Sequence, residues 1–223
     1  MIICEERAFE RILSLGFCDT AIPISIRKEV SGEAYITVLP SLKKAARDFE
    51  KKFAHDYFST GAHEWLRSSI RPFMFSIGYE DNRQSRKITE IMSRKNKIPL
   101  EHNDCDILKT NMPNLTSADV SSLVEFGHIV SAKIIDGRIV SVAYTNLNPT
   151  DCSAVEIGVE TAPGYRRCGY AKRVLSTLIN ELENMDIAPI YVTSKNNYAS
   201  IKLAKSIGFE CEALEYNYVF RRI

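Results

Sequence analysis

The sequence predicts an α+β (α/β) fold: a mixed sheet layered with helices in the second half, preceded by an α+β extension. Three observations carry this. Asp136-Gly137 stands between two strand-like runs, Ala154 to Glu160 alternates apolar and polar residues, and two amphipathic segments follow with a short apolar run between them. The resulting order of hairpin, strand, helix, strand, helix, strand belongs to a layered sheet-and-helix domain.

The first hundred residues give weaker signals. Ile22 to Arg27 and Ala34 to Leu39 have strand composition around a turn at Ser31-Gly32, and Pro40-Ser41 opens a helical stretch to about His55. Leu42, Ala45, Ala46, Phe49 and Phe53 recur there at three- and four-residue spacing and form one apolar stripe that must pack on something. Trp65, Phe73 and Phe75 read as core or as the lining of a substrate pocket. A basic stretch holds Arg83, Arg86, Lys87, Arg94, Lys95 and Lys97, with Ile88, Ile91 and Met92 as apolar anchors. It reads either as a solvated helix face or as a phosphate or nucleic-acid surface.

Ile98-Pro99 is a punctuation point, which divides the chain into an extension over 1–100 and a principal domain over 101–223. Dividing 223 residues by a typical domain of roughly 150 supports the same partition.

Beyond that point the pattern sharpens. Leu115-Thr116-Ser117-Ala118-Asp119 resembles a capping box and predicts a short helix to about Phe126, before Gly127. His128 to Ile135 and Arg138 to Thr145 flank Asp136-Gly137, a pair that tolerates the positive φ a tight hairpin demands. In the alternating strand, Val155, Ile157 and Val159 fall on one side and Ala154, Glu156, Gly158 and Glu160 on the other. A loop from Thr161 to Cys168 leads into a helix striped by Ala171, Val174, Leu175, Leu178, Ile179 and Leu182. Ile190 to Thr193 follows as a strand. Asn196-Asn197 can cap a helix that Gly208 stops, and a last strand runs from about Ala213 to Phe220.

Composition excludes several classes. A balance of 29 Lys and Arg against 28 Asp and Glu, with 45% apolar residues, is that of an ordinary globular chain and not of a polyanion-coating protein. No run approaches the roughly 18 apolar residues of a membrane helix, and the acidic start at Glu5-Glu6 does not read as a secretory signal. The chain is expected to be cytoplasmic, a monomer or homodimer, with no nucleic-acid or membrane partner. Its six cysteines (4, 18, 105, 152, 168 and 211) show no short pairing and are expected to be free thiols. His55, His63, His102 and His128 are scattered, and His63-Glu64 lacks the second histidine of a zinc-protease helix, so no metal is expected.

The chemistry is expected in Val159-Glu160-Thr161-Ala162-Pro163-Gly164-Tyr165-Arg166-Arg167-Cys168-Gly169-Tyr170-Ala171. A strand that hands over to a helix through such a loop exposes unpaired N–H groups at the positive end of the helix dipole, which suits an anion. Gly169 allows close backbone approach, and Arg166 and Arg167 supply charge here or are ordinary surface cations. Gly164 and Gly169 have Walker-loop spacing, yet Tyr170-Ala171 stands where the phosphate lysine and magnesium ligand belong, and no G-x-G-x-x-G is present. What survives is a pyrophosphate held without metal. Cys168 is a nucleophile candidate without a spaced histidine partner, or a tolerated loop thiol.

Arg166-Arg167-Cys168-Gly169-Tyr170-Ala171 matches the pyrophosphate signature of the GNAT family, the acetyl-CoA-dependent N-acetyltransferases, and Asn197 to Phe209 resembles that family's last helix. The resemblance covers about residues 105 to 223 and implies a mostly antiparallel sheet flanked by helices. It further implies that backbone amides of Arg166, Arg167, Cys168, Gly169, Tyr170 and Ala171 cradle the CoA pyrophosphate. Gly158, Val159 and Asn197 would meet the pantetheine arm, though Asn197 also reads as a plain helix cap. Acetyl-CoA is then the co-substrate and a small-molecule primary amine the acceptor, attacking the thioester directly.

Glu156 resembles the strand carboxylate that some members use as base, its other reading being an exposed strand-face glutamate. Many members carry a tyrosine acid where this chain has Ala204, so Tyr198, Tyr216, Tyr218 or water supplies the proton, or the thiolate leaves unassisted. An acyl-CoA-binding module without chemistry is the alternative. Val159-Glu160-Thr161 with Tyr165-Arg166 and Leu203-Ala204-Lys205 looks like a GNAT branch that includes zwittermicin-resistance acetyltransferases. The extension would shape the acceptor pocket.

Overall fold

The structure, a computed structural model, describes residues 2–5, 20–95, 100, 104–108, 118–149 and 153–223. Cys18, Lys97, Ile98-Pro99, His102, Leu115-Thr116-Ser117 and Cys152 lie outside the described residues, as do the side chains of Cys4, Arg83, Arg86, Lys87 and Asp119. Two compact units divide the chain: Met1–Glu90 with Ala213–Ile223, and Ile91–Glu212.

The elements run β1 (Ile2–Glu5), β2 (Thr20–Glu29), β3 (Ala34–Val38), α1 (Lys43–Lys52), α2 (Thr60–Ser76) and β4 (Tyr79–Ser93). There follow β5 (Asp106–Leu108), α3 (Ala118–Glu125), β6 (Val130–Ile135), β7 (Arg138–Thr145) and β8 (Ala154–Thr161). The chain closes with α4 (Tyr170–Asn184), β9 (Ala188–Ser194), α5 (Tyr198–Ser206) and β10 (Glu210–Arg222).

In the first unit the strand order is β1-β3-β2-β10-β4. β2 is antiparallel to both β3 and β10, and β1 is parallel to β3. The last strand therefore completes the first unit: Ala213 to Arg221 pair with Glu29 to Thr20. Its Tyr218 and Phe220 join a core with Ile24, Ile26, Ile36, Phe49, Leu66, Ile70 and Met74.

The stripe expected over 42 to 53 is present. A 3-10 turn at Pro40–Leu42 leads into α1, which buries Ala46 and Phe49. Helix α2 was not read from the sequence. Ala62, Leu66, Ile70 and Met74 recur every fourth residue and all are buried, but Pro72 inside the same segment lacks the N–H a helix interior needs and hides the pattern. Ser59 starts this helix by accepting the Ala62 N–H at 3.2 Å. Trp65 packs on Phe49 and Phe53, while Phe75 is exposed.

The basic stretch forms strand β4 and not a helix face. β-branched Ile88, Thr89 and Ile91 favour extended backbone over a helix. Arg94, just beyond it, belongs to the second unit, where its buried guanidinium donates to the Ile207 carbonyl at 3.0 Å and pairs with Glu183.

The second unit carries the order β9-β8-β7-β6-β5, antiparallel except for the parallel β8–β9 pair. Asp136 and Gly137 have φ of 49° and 72°, both left-handed, so the β6–β7 hairpin closes as the sequence implies. One sheet face packs Val155, Ile157 and Ala143 against Val174, Leu175, Leu178, Ile179 and Leu182 of α4, with Ala204 of α5 and Ile207 just after it. The opposite face, through Val130, Ala132 and Val142, takes Val120 and Val124 of α3. The mixed, mostly antiparallel sheet flanked by helices agrees with the expected fold class. Among the described residues, no helix is long and apolar enough to cross a membrane.

Candidate functional site

The geometry begins with β8. Its antiparallel ladder to β7 continues to Thr161, whereas its parallel ladder to β9 ends at Ile157–Tyr191. From Gly158 onward the two parallel strands part, and on the side turned away from β7 the main chain of β8 has no ladder partner in β9.

The loop after β8 points the same way along the chain. A 3-10 turn, Pro163–Tyr165, is followed by Arg166 in extended backbone and Arg167 at φ 64°. Gly169 caps α4 with φ 80°, and no side chain satisfies the first-turn amides. Glycine adopts this left-handed geometry without the steric cost that a Cβ would bring. Residues 163–169 are all exposed, and a Cβ built on Gly169 meets no atom within 4 Å. Hence the amides from Arg167 to Ala171 line an open, electropositive helix end. Arg166 braces the loop, its Nε donating to the Thr161 carbonyl at 3.2 Å. The Arg173 guanidinium lies 5.9 Å from the Tyr170 ring centre and reaches Asp104 at 3.1 Å. Lys133 holds the Asp104 carboxyl below its ordinary range by a hydrogen bond, with Arg173 adding to the effect. Cys168 is an exposed thiol; Cys105 and Cys211 likewise carry thiols and no disulfide.

Glu156 and Glu160 are exposed on the strand face opposite to buried Val155 and Ile157, as alternation requires. Between them sits Gly158, and the sequence reading missed what covers it. Tyr144 on β7 is the cross-strand partner of Gly158, and its ring occupies the space a side chain there would need. Its hydroxyl is 3.4 Å from Glu160. Burial raises the Tyr144 phenol above its ordinary value, and the charges of Glu160 and Glu156 add to the rise, so it stays neutral. The signal available in the sequence was the position of Tyr144 within the hairpin, which sets it opposite Gly158 once the register is known.

Asn197 caps α5: its Oδ1 accepts the Ser200 N–H at 3.2 Å. Ser200 shares a 2.7 Å hydroxyl contact with Tyr191, whose phenol is pushed up by burial. Ala204 is fully buried in the core. Tyr198 is 77% exposed at the first turn of the same helix. Tyr216 belongs to the first unit, where it stacks on His63 at 5.1 Å and packs on Phe58 at 5.2 Å. Tyr218 is buried there and hydrogen-bonded to His63.

Residues 126–218 match the family model described as GNAT acetyltransferase. Among solved structures, a GNAT-family protein from Novosphingobium aromaticivorans superposes with a TM-score of 0.54 at 22% identity, over 66% of this chain and 68% of that one. A GNAT-family acetyltransferase from Colwellia psychrerythraea gives 0.50 at 14% identity, over 84% and 76%. No curated protein matches the chain. These likenesses show a shared fold.

Proposed function

We propose that the protein transfers an acetyl group from acetyl-CoA to the primary amine of a small molecule by direct attack. The observation that carries this reading is the parting of β8 from β9 beyond Ile157–Tyr191, next to the open amides at the start of α4. The first feature suits an extended amide-bearing arm, and the second suits a pyrophosphate.

In this reading the amides of Arg166, Arg167, Cys168, Gly169, Tyr170 and Ala171 hold the diphosphate. Gly158 and Val159 bond the pantetheine arm through their main chain, with Asn197 on its other side. The amine nitrogen attacks the thioester carbon, the C–S bond breaks and the sulfur leaves with its electron pair. Glu156 takes the amine proton, directly or through water. Because Ala204 carries no proton, Tyr198, Tyr216 or water returns one to the thiolate. Tyr198 is our first choice, since the ring of Tyr216 is held between His63 and Phe58. A free thiol with a pKa near 8.5 also leaves acceptably unassisted. The likeness of Val159-Glu160-Thr161 and Leu203-Ala204-Lys205 to the zwittermicin-resistance branch supports a small polar acceptor.

The test is incubation with acetyl-CoA and a panel of primary amines, following free thiol and acetylated amine by mass. Turnover of at least one amine is expected. Acetyl-CoA binding without turnover would instead favour a regulatory acyl-CoA-binding module, the reading that the buried Ala204 favours.

A further inference from the structure

We infer that Tyr144 is a specificity-determining residue: its ring is the wall that limits the bulk of the acceptor amine beside the thioester. The inference rests on the acyl-transfer reading above and extends it to the size of the substrate. Four observations lead to it.

Tyr144 and Gly158 are directly paired across β7 and β8. A Cβ on Gly158 would lie 2.7 Å from Tyr144 Cζ and 3.0 Å from its hydroxyl oxygen, so the end of the ring covers the glycine. Strand alternation puts that ring on the face that carries Glu156 and Glu160, and the charges of both raise its pKa. The same ring packs at its inner side against the cluster of Val120, Val124 and Val142, which holds it in place.

The consequence is geometric. Gly158 is where the pantetheine arm would end, and Glu156 is the base that an approaching amine must reach. An amine arriving on that face therefore slides along the Tyr144 ring, over a residue with no side chain of its own. A linear aminoalkyl chain lies flat against an aromatic face, whereas branching next to the nitrogen collides with it. The hydroxyl, turned toward Glu160, is not needed for this exclusion.

The experiment compares wild type, Tyr144→Ala and Tyr144→Phe on linear and α-branched primary amines, measuring kcat/KM by thiol release and acetyl-CoA affinity by calorimetry. The alanine variant should raise the branched-to-linear ratio of kcat/KM at least tenfold. The phenylalanine variant should leave that ratio within twofold, with acetyl-CoA affinity unchanged in both. An unchanged ratio in Tyr144→Ala overturns the inference. Tyr144→Leu repeats the comparison should the alanine variant fold poorly. If wild type acetylates no amine, the acyl-transfer reading falls by itself. The wall is then judged on calorimetric binding of the same amines, which must show branched amines gaining on linear ones in Tyr144→Ala; equal gains overturn it.

Discussion

Ile157 and Tyr191 form the last rung of the parallel ladder, after which β8 continues to Thr161 and β9 to Ser194 without pairing to each other. Strands that twist apart must offer their donors and acceptors to something else, and buried or half-buried main-chain groups are rarely left unmet. This gap, followed along the chain by the uncapped amino end of α4, suits a ligand that is amide at one end and diphosphate at the other.

Arg166 tests the diphosphate end. Its guanidinium braces the Thr161 carbonyl and adds charge to an exposed loop, where a charge-assisted contact is worth about 1.5 kcal/mol. Arg166→Ala should weaken acetyl-CoA binding about tenfold in calorimetry while kcat at saturation falls less than threefold. Unchanged affinity would make Arg166 an ordinary surface cation.

Glu156 tests the chemistry. A primary amine titrates near pH 10.4 as a free alkylamine, so at neutral pH it needs a proton acceptor, and near its own pKa it does not. Glu156→Gln should lower kcat/KM about a hundredfold at pH 7, with the deficit shrinking as pH rises toward 10, at unaltered acetyl-CoA affinity. A pH profile parallel to wild type would exclude Glu156 as base.

The second unit was legible because its signals are local. Asp136-Gly137 fixes a hairpin, alternation from Ala154 fixes which side Glu156 takes, and Gly169 and Gly208 mark helix ends at φ 80° and 92°. What escaped depends on pairing between distant segments. Tyr144 gains its role only through register with Gly158, and the C-terminal strand finds its partner in β2, almost two hundred residues earlier, for which no short-range pattern exists. Helix α2 was hidden by Pro72, and β4 by a run of charges that reads equally well as a helix face.

That long-range pairing has a direct consequence for truncation. Removing residues 1–100 strips β2 from Ala213 to Arg221 and uncovers Tyr218 and Phe220, both buried in the first unit. An exposed apolar strand edge invites aggregation. The truncated chain should be insoluble, and removing 213–223 as well should recover part of its solubility, read by fractionation. Soluble, monodisperse protein after the first deletion alone would show that β10 stands without β2.

Tyr191 ties stability to pH. Burial raises its phenol above 10.0, and the Ser200 hydrogen bond opposes this in part. The folded state thus keeps a proton that the unfolded chain releases, so the contribution is complete below pH 10.0 and lost as pH rises through the folded value. Tyr191→Phe should cost about 1 kcal/mol at neutral pH through the missing hydrogen bond, and should flatten the loss of stability above pH 10 in denaturant titrations. An identical alkaline slope would assign that loss to other tyrosines.

Asn197 carries two roles that one pair of variants separates. As a cap it satisfies the Ser200 amide, and truncation to alanine should cost about 1 kcal/mol. As an arm contact it must also offer its amide to the ligand. Serine restores the cap oxygen but has no carboxamide. Asn197→Ser should therefore melt like wild type while binding acetyl-CoA several-fold more weakly, whereas Asn197→Ala should lose both. If the serine variant binds as tightly as wild type, Asn197 is a helix cap alone, and the arm must be held on that side by main-chain groups of the parted β9 strand.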